Sequence, residues 1–343
     1  MKEEYNVLSE FDGMSSGQLA LINAKKEVTN YFASEIDKHA INACIVNFPG
    51  TKHLGDVTKI QINKLPKINL FIGGSPCQGF SFAGEQLNFN DPRSKLFFEF
   101  AADLRYIQEY INPDVEFLLE NVKMKKEYQN VISKFLGVEP IEINSSLLSG
   151  QSRNRLYWTN IKSIEIPEDK NIFMCDILEP NVSDKYYHSE AALNYMDRSV
   201  SGGRNHWDFG HHSDTFKQKS ACITASFMKG VPYNVLIERN QVNQINPYSG
   251  CSTNQPKLQH RIFDSNSKMT CLTSSHSCRS TIYPDKEDLI RRLTPRECGR
   301  LQTISEDKLE VILNAGISDS QLYKMFGNGW TIDVIAHIFK NLN

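Results

Sequence analysis

An apolar run from Ile68 to Ile72 stops at two glycines, Gly73 and Gly74, and then presents Ser75-Pro-Cys-Gln-Gly79. A short continuous apolar run closed by glycines reads as a buried strand opening into a tight loop. In open α/β sheets ligands bind outside the carboxyl ends of the strands, so Cys77 stands where a ligand arrives. Taken alone, a small cysteine in a turn serves packing as readily as chemistry.

The preceding chain has the same grain. Asn6-Val-Leu-Ser-Glu-Phe11 reads as a first strand, followed by Asp12-Gly-Met-Ser-Ser-Gly17 and then by a helix with Leu19 and Ile22 at helical spacing. Strand, glycine turn and helix open a nucleotide-type βαβ unit, whose helix N-terminus offers free amides to a polar ligand. The turn is not the GxGxxG of dinucleotide binders. Tyr31-Phe-Ala-Ser-Glu35 is a short strand ending in a carboxylate about 20 residues past that turn, the place from which an acid holds ribose hydroxyls. A helix follows over Asp37 to Phe48, with Ile41, Cys44, Ile45 and Phe48 on one face. Asp56 comes after the next strand end, and an adenine amino group suits it. For Glu35 and Asp56 alike, a solvated surface acid is the alternative.

Beyond Cys77, the stretch Phe80 to Arg93 mixes small, polar and aromatic residues and reads as a mobile loop. Leu96 to Ile111 is amphipathic and helical. Pro113 to Glu120 is a strand ending in Glu120-Asn-Val122, whose carboxylate can share a pocket with Cys77. Gln151-Ser-Arg-Asn-Arg155 brings two arginines before the strand Leu156 to Asn160, which suggests an anion or base contact.

From about Val182 to Pro284 helical periodicity fades, and Ser, Asn, Gly, His and aromatic residues dominate. Lys219-Ser-Ala-Cys-Ile-Thr-Ala-Ser226 echoes Lys268-Met-Thr-Cys-Leu-Thr-Ser-Ser275, which fits a strand-and-loop region using similar β-ribbons twice. His206, His211, His212, His260 and His276 match no zinc spacing, so no metal is expected. The net charge of −2 excludes a uniformly basic nucleic-acid binder. Residues 183–288 nevertheless hold 12 Lys and Arg against 10 Asp and Glu, the remainder 26 against 30. Helical texture returns at Thr294, which can cap a helix with Pro295 at its first position. Ser318 caps another helix, which stops at Gly327-Asn-Gly329. Ile332, Ile335, Ile338, Phe339 and Leu342 then form one stripe that needs a sheet to bury against, so the chain end returns to the first domain.

These stretches together resemble the DNA (cytosine-5)-methyltransferases, phage and bacterial type, with some similarity to the eukaryotic de novo branch. The matches run in the family's order: Phe11-Asp-Gly with Gly17, Glu35, Asp56, Gly74-Ser-Pro-Cys-Gln-Gly79, Glu120-Asn-Val122, Gln151-x-Arg153-x-Arg155, Arg292-Leu-Thr-Pro-x-Glu297 and Gly327-Asn328. They cover roughly residues 5–160 and 290–342.

The resemblance implies a doubly wound, Rossmann-like α/β fold for S-adenosylmethionine-dependent methyl transfer, with an inserted, irregular β-rich target-recognition domain. Its domains are 1–180, 181–288 and a return over 289–343. It implies transfer of a methyl group from S-adenosylmethionine to C5 of a flipped-out cytosine in a short sequence of double-stranded DNA, leaving S-adenosylhomocysteine. Cys77 is implied as the nucleophile that bonds to C6, Glu120 as the contact to N3 and the exocyclic amine, and Arg155 as the contact to the base carbonyl. Arg153 supports the site, and Asn121 fixes the loop carrying Glu120. Glu35 takes the cofactor ribose and Asp56 the adenine. Phe11, Asp12, Gly13, Gly17, Ile36, Val57, Pro76, Leu96, Asn328 and Trp330 complete the cofactor pocket. Gln78, Ser81 and Arg93 face DNA.

Two residues depart from relatives: Glu85 stands where some carry a lysine, and Ala83 where a small polar side chain often fills the gap left by the base. The competing readings are a transfer-RNA cytosine-5 methyltransferase, whose Cys-Phe-Thr tripeptide is missing here, and an inactive cofactor- or DNA-binding regulator. Scattered cysteines, no apolar run of membrane length and no secretory start point to a cytoplasmic protein. A monomer is expected, with a cognate restriction endonuclease acting separately as a further partner.

Overall fold

The computed structural model describes residues 4–76, 92–173, 176–187, 189, 209–211, 236–238, 245–247, 269–270 and 289–343, without the side chains of 92–95, 209–211, 236–238, 245–247, 269–270 and 289–290. Its chain divides into two compact units, one of residues 1–144, 154–167 and 330–343, the other of 145–153 and 168–329.

The first unit is built on a seven-stranded sheet. Its strands are β1 (Glu4–Glu10), β2 (Glu27–Ser34), β3 (Lys52–His53), β4 (Leu70–Gly73), β5 (Glu116–Val122), β6 (Ile141–Asn144) and β7 (Asn154–Thr159), in the order β3-β2-β1-β4-β5-β7-β6. The pairs from β3 to β5 are parallel, and β7 runs antiparallel to both β5 and β6. Strand order reverses between β1 and β4, the switch point where an open α/β sheet forms a ligand crevice. The chain is therefore a doubly wound α/β fold, as its alternating strand and helix patterns predicted.

Helix α1 (Ser16–Asn23) follows β1, and α2 (Lys38–Asn47) follows β2. Helix α3 (Pro92–Tyr106) runs on as a wider turn over Ile107–Ile111, and α4 (Lys126–Leu136) follows β5. Proline at the start of α3 suits a position whose N–H has no helical partner. The loop expected to last to Arg93 therefore gives way to helix at Pro92. In α2 the buried residues are Ala40, Ala43 and Cys44, while Ile45 is exposed. The apolar face lies one step from the one expected, because alanines allow the helix to approach more closely. In α1, similarly, Leu19, Ala20 and Leu21 are buried and Ile22 is exposed.

The core beneath the crevice gathers Leu8, Phe71, Phe97, Phe100, Leu104 and Phe117. Phe71 of β4 stacks on Phe100 of α3 with ring centroids 4.3 Å apart, and Trp158 donates its indole N–H to Ser133 Oγ at 3.0 Å. Packing this dense holds backbone positions to tenths of an ångström. The C-terminal helix, Ile332–Phe339, buries Ile332, Ile335, Ile338 and Phe339, and the stripe expected to need a sheet packs against helix α1 instead. Asn343 Nδ2 then reaches Glu116 Oε1 at 3.1 Å, and Lys26 donates to the Leu342 carbonyl at 2.5 Å.

In the second unit, antiparallel ribbons pair Leu236–Glu238 with Leu289–Arg291 and Phe209–His211 with Ile245–Pro247, and Gln151–Ser152 runs parallel to Met269–Thr270. Its helices are α5 (Pro295–Leu301), α6 (Glu306–Leu313) and α7 (Asp319–Asn328). Thr294 and Glu297 form a reciprocal capping box at α5, with Pro295 at its start. The same Glu297 takes a two-pronged ion pair from Arg291, at 2.7 and 2.8 Å, with both side chains fully buried. Ser318 occupies the capping position of α7, but its side chain makes no capping bond. Of the expected internal echo, only the backbone of Met269–Thr270 falls within the described residues, and of the five histidines only the backbone of His211 does.

Candidate active site

At the end of β1 the chain enters a turn in which Phe11, Gly13 and Ser15 all have positive φ, at 56°, 60° and 62°. Gly13 is the one among them that needs no explanation for its conformation. Its N–H donates to Glu35 Oε2 at 2.8 Å, while Glu35 Oε1 accepts from the amides of Ile36 and Asp37 at 2.7 and 2.8 Å. Three amides thus fix the carboxylate at the end of β2 beside the glycine turn. Ile36, next in sequence, is 77% exposed, an apolar side chain held out at the crevice mouth. Asp56 accepts from Thr58 N at 3.1 Å and caps the short turn Val57–Lys59, with Val57 buried. Its capping bonds hold the Asp56 carboxyl below the usual carboxylate range.

Two members of the expected cofactor set are tied into the packing around the turn. The Asp12 carboxyl is buried and receives the Tyr31 hydroxyl at 2.7 Å and that of Ser15, so it braces the turn from within. Burial pushes its pKa up to about 6, against the donated bonds of Ser15, Ser9 and Tyr31. At Gly17 a Cβ would stand 2.5 Å from Ile72 Cδ1 and 2.7 Å from Tyr31 Oη. This glycine lets α1 pack closely on the sheet.

Around β5 the site takes shape. Glu120 and Arg155 lie diagonally across the antiparallel pair β5–β7, since Val122 faces Arg155 and Glu120 faces Tyr157. Arg155 Nε stands 2.9 Å from Glu120 Oε1, with both side chains almost wholly buried. Trp330 Nε1 donates to Glu120 Oε2 at 3.2 Å. Asn121 Nδ2 reaches the carbonyl and the hydroxyl of Ser75 at 3.3 and 3.2 Å, while its Oδ1 accepts its neighbour's N–H, Val122, at 2.8 Å. The side chain expected to fix the loop of Glu120 thus also ties β5 to the loop after β4. A carboxylate held by one donated bond and one ion pair, next to a stitched loop leading into a thiol, is an arrangement that can grip a polar heterocycle while a nucleophile attacks it.

The two arginines of the Gln151 segment part company. Arg155 is in the first unit; Arg153 is in the second, 3% exposed, and directs Nη1 and Nη2 to the carbonyls of Gly327 and Gly329 at 3.1 and 3.0 Å. Gln151 Nε2 binds the Leu301 carbonyl at 2.7 Å and Gln302 Oε1 at 2.9 Å, and Gln302 binds the Gly329 carbonyl at 3.3 Å. Arg153 is therefore a brace for the turn 327–329, not a base contact. Backbone carbonyls take the donors of its two terminal nitrogens. Asn328 belongs to this turn.

Cys77, Gln78, Ser81, Ala83 and Glu85 lie outside the described residues, as does the side chain of Arg93. Pro76 and Leu96 are half-buried at the two ends of that stretch. Sequence reasoning passed over Glu10, the last residue of β1, which is fully buried. The groups facing it are Asp103 and Glu99 of α3, and burial first, then Asp103, raises its carboxyl well above the usual range. The one signal available was a charged residue closing an otherwise apolar strand. Among the described residues, no three His, Cys, Asp or Glu side chains gather as a metal site, and no helix is long and apolar enough to cross a membrane.

The model of the C-5 cytosine-specific DNA methylase family matches residues 5–343. The orphan methyltransferase M.SPRI of Bacillus phage SPR is 27% identical, over 98% of this chain and 97% of its own. The type II methyltransferase M1.ScrFI of Lactococcus lactis subsp. cremoris is 29% identical, over 99% and 78%. In fold, the chain is similar to the methyltransferase EhMeth of Entamoeba histolytica, with a TM-score of 0.63 at 18% identity, over 99% of this chain and 98% of that one. A match over nearly the whole length, on a sheet with its crevice at the β1–β4 switch point, shows that the chain belongs to the C-5 cytosine-specific DNA methylases, enzymes that methylate cytosine at C5 in DNA with S-adenosylmethionine.

Proposed function

We propose that the chain methylates one cytosine within a short specific sequence of double-stranded DNA, after the base has left the stack, through a covalent bond between Cys77 Sγ and C6. The observation that carries this reading is the buried Glu120–Arg155 pair beside Ser75, two residues from Cys77 in sequence. Carbon 5 of cytosine is a poor nucleophile, and addition of a thiolate to C6 makes it an enamine carbon. Glu120 contacts N3 and the exocyclic amine, stabilising the ring as charge builds on it, and Arg155 contacts the base carbonyl. A target carbon inside a duplex is out of reach, so the base must be extruded.

The crevice fits S-adenosylmethionine. Glu35 is fixed at the end of β2 for ribose hydroxyls, Ile36 stands exposed beside it, and Gly13 has nothing within 4 Å where a side chain would begin. Phe11, Glu35, Ile36, Asp56, Val57, Pro76, Leu96 and Trp330 are the residues of the first unit that hold it. Bound there, it supplies the electrophilic methyl group. Gln78, Ser81 and Arg93 are proposed to meet the DNA, and residues 181–288 to read the sequence through the major groove.

The test is base-resolution mapping of 5-methylcytosine in DNA of bacteria without cytosine methylation of their own, expressing the chain or its C77A variant. Methylation of one short motif with the intact chain alone is the expected result. Unmodified DNA in both, with soluble protein, would defeat the reading.

A further inference from the structure

We propose that Trp330 is a positioning residue for Glu120, a role that deepens the function proposed above and rests on it. A carboxylate that must meet a ring nitrogen with one oxygen and an amine with the other has to arrive in one plane. Glu120 has two χ rotations beyond its backbone and a terminal torsion that is broad, so packing alone does not set that plane. An ion pair and a donated bond do. Arg155 Nε lies against Oε1 at 2.9 Å and Trp330 Nε1 donates to Oε2 at 3.2 Å, and all three residues are buried or nearly so.

The glycine at position 74 is a second, separate sign of the same arrangement. A Cβ there would lie 3.0 Å from Trp330 Nε1, 3.3 Å from Glu120 Oε2 and 3.5 Å from Trp330 Cε2. The indole–carboxylate pair therefore rests directly on the backbone that leads through Ser75 and Pro76 to Cys77. A side chain there would press on both, and the pair would have to give by a few tenths of an ångström to admit it. The indole is itself fixed, because Thr331 opens the C-terminal helix whose Ile332, Ile335 and Ile338 are buried in the first unit. An indole serving only as a cofactor wall has no need to aim its N–H at the carboxylate that grips the base.

The role separates from cofactor binding by experiment. In Trp330→Phe the ring stays and the donor goes. The single-turnover methylation rate should fall about tenfold, the worth of a hydrogen bond to a charged group. The dissociation constant for S-adenosylmethionine, measured calorimetrically without DNA, carries the loss of indole contact area and should change by less than the rate does. A loss confined to cofactor affinity, or an unchanged rate, overturns the proposal. The second arm needs no folded Trp330 variant. The chain has three tryptophans, and the indole 15N–H resonance of Trp330 should move in Glu120→Gln while that of Trp158, bonded to Ser133, stays in place. A Trp330 resonance indifferent to E120Q also overturns it. Because this arm reads the contact and not turnover, a chain that methylates nothing would sink the proposed function without silencing this test.

Discussion

Asn121 Nδ2 donates to both the carbonyl and the hydroxyl of Ser75, so the strand that ends in Glu120 is stitched to the loop that runs on to Cys77. Both residues are buried, and water cannot replace either bond. Asn121→Ala should destabilise the chain by about 1–3 kcal/mol. Its larger effect should fall on covalent capture of DNA containing 5-fluorocytosine, which we expect to slow by more than tenfold. Capture at the normal rate in a destabilised variant would show that the stitch serves stability alone.

Removing Arg155 leaves Glu120 buried without its ion-pair partner. Arg155→Ala should lower the methylation rate by at least about 100-fold, since breaking a buried pair strands its remaining charge. Arg155→Lys keeps the charge without the planar fork and should recover only part of the loss. Cofactor affinity should change little in either variant. Full activity in R155K would contradict a role for the guanidinium geometry.

Stability should fall as the solution becomes less acidic from about pH 4 to 7. The Asp12 carboxyl has a folded pKa of about 6 against 3.8 for the free group. The folded state therefore holds its proton longer than the unfolded state. That stabilisation is complete below the unfolded value and is lost as pH rises through the folded one, about 2 kcal/mol between pH 4.5 and 7.5. Glu10, raised by burial and Asp103, acts in the same direction. In Asp12→Asn the amide can still accept from Tyr31 and can donate to Ser15, whose hydroxyl keeps its bond to Cys44 at 3.0 Å. Urea denaturation of D12N should show a flatter pH dependence than the parent over this range. An identical slope would remove Asp12 from the account.

Two glycines of the first turn should answer differently to alanine. Gly17→Ala drives a methyl group into Ile72 and the Tyr31 hydroxyl and should cost about 1–3 kcal/mol. Gly13→Ala meets no atom within 4 Å, so its cost is the strain of φ at 60°, about 1–2 kcal/mol. Calorimetric binding should separate them further. G13A alters the amide that holds Glu35 and should weaken S-adenosylmethionine, whereas G17A should leave its affinity near the parent's once folded. Equal losses of affinity would put both glycines in the pocket.

The sequence by itself determined the α/β alternation, the strand ends carrying Glu35 and Glu120, the helix cap at Thr294 and the apolar stripe of the C-terminal helix. Each follows from local rules: apolar period, turn chemistry, and a carboxylate closing a buried strand. Only the tertiary structure decided which of two arginines two residues apart reaches Glu120. Arg155 sits in the β7 ladder diagonal to it, while Arg153 precedes the strand and braces the carbonyls of Gly327 and Gly329. It also turned Asp12 inward onto Tyr31, made Gly17 a packing residue and buried Glu10 against Asp103. These outcomes depend on which face of a strand or helix meets which neighbour. That is set by register and close packing among residues distant in the chain, as with Trp330 and Glu120, 210 positions apart.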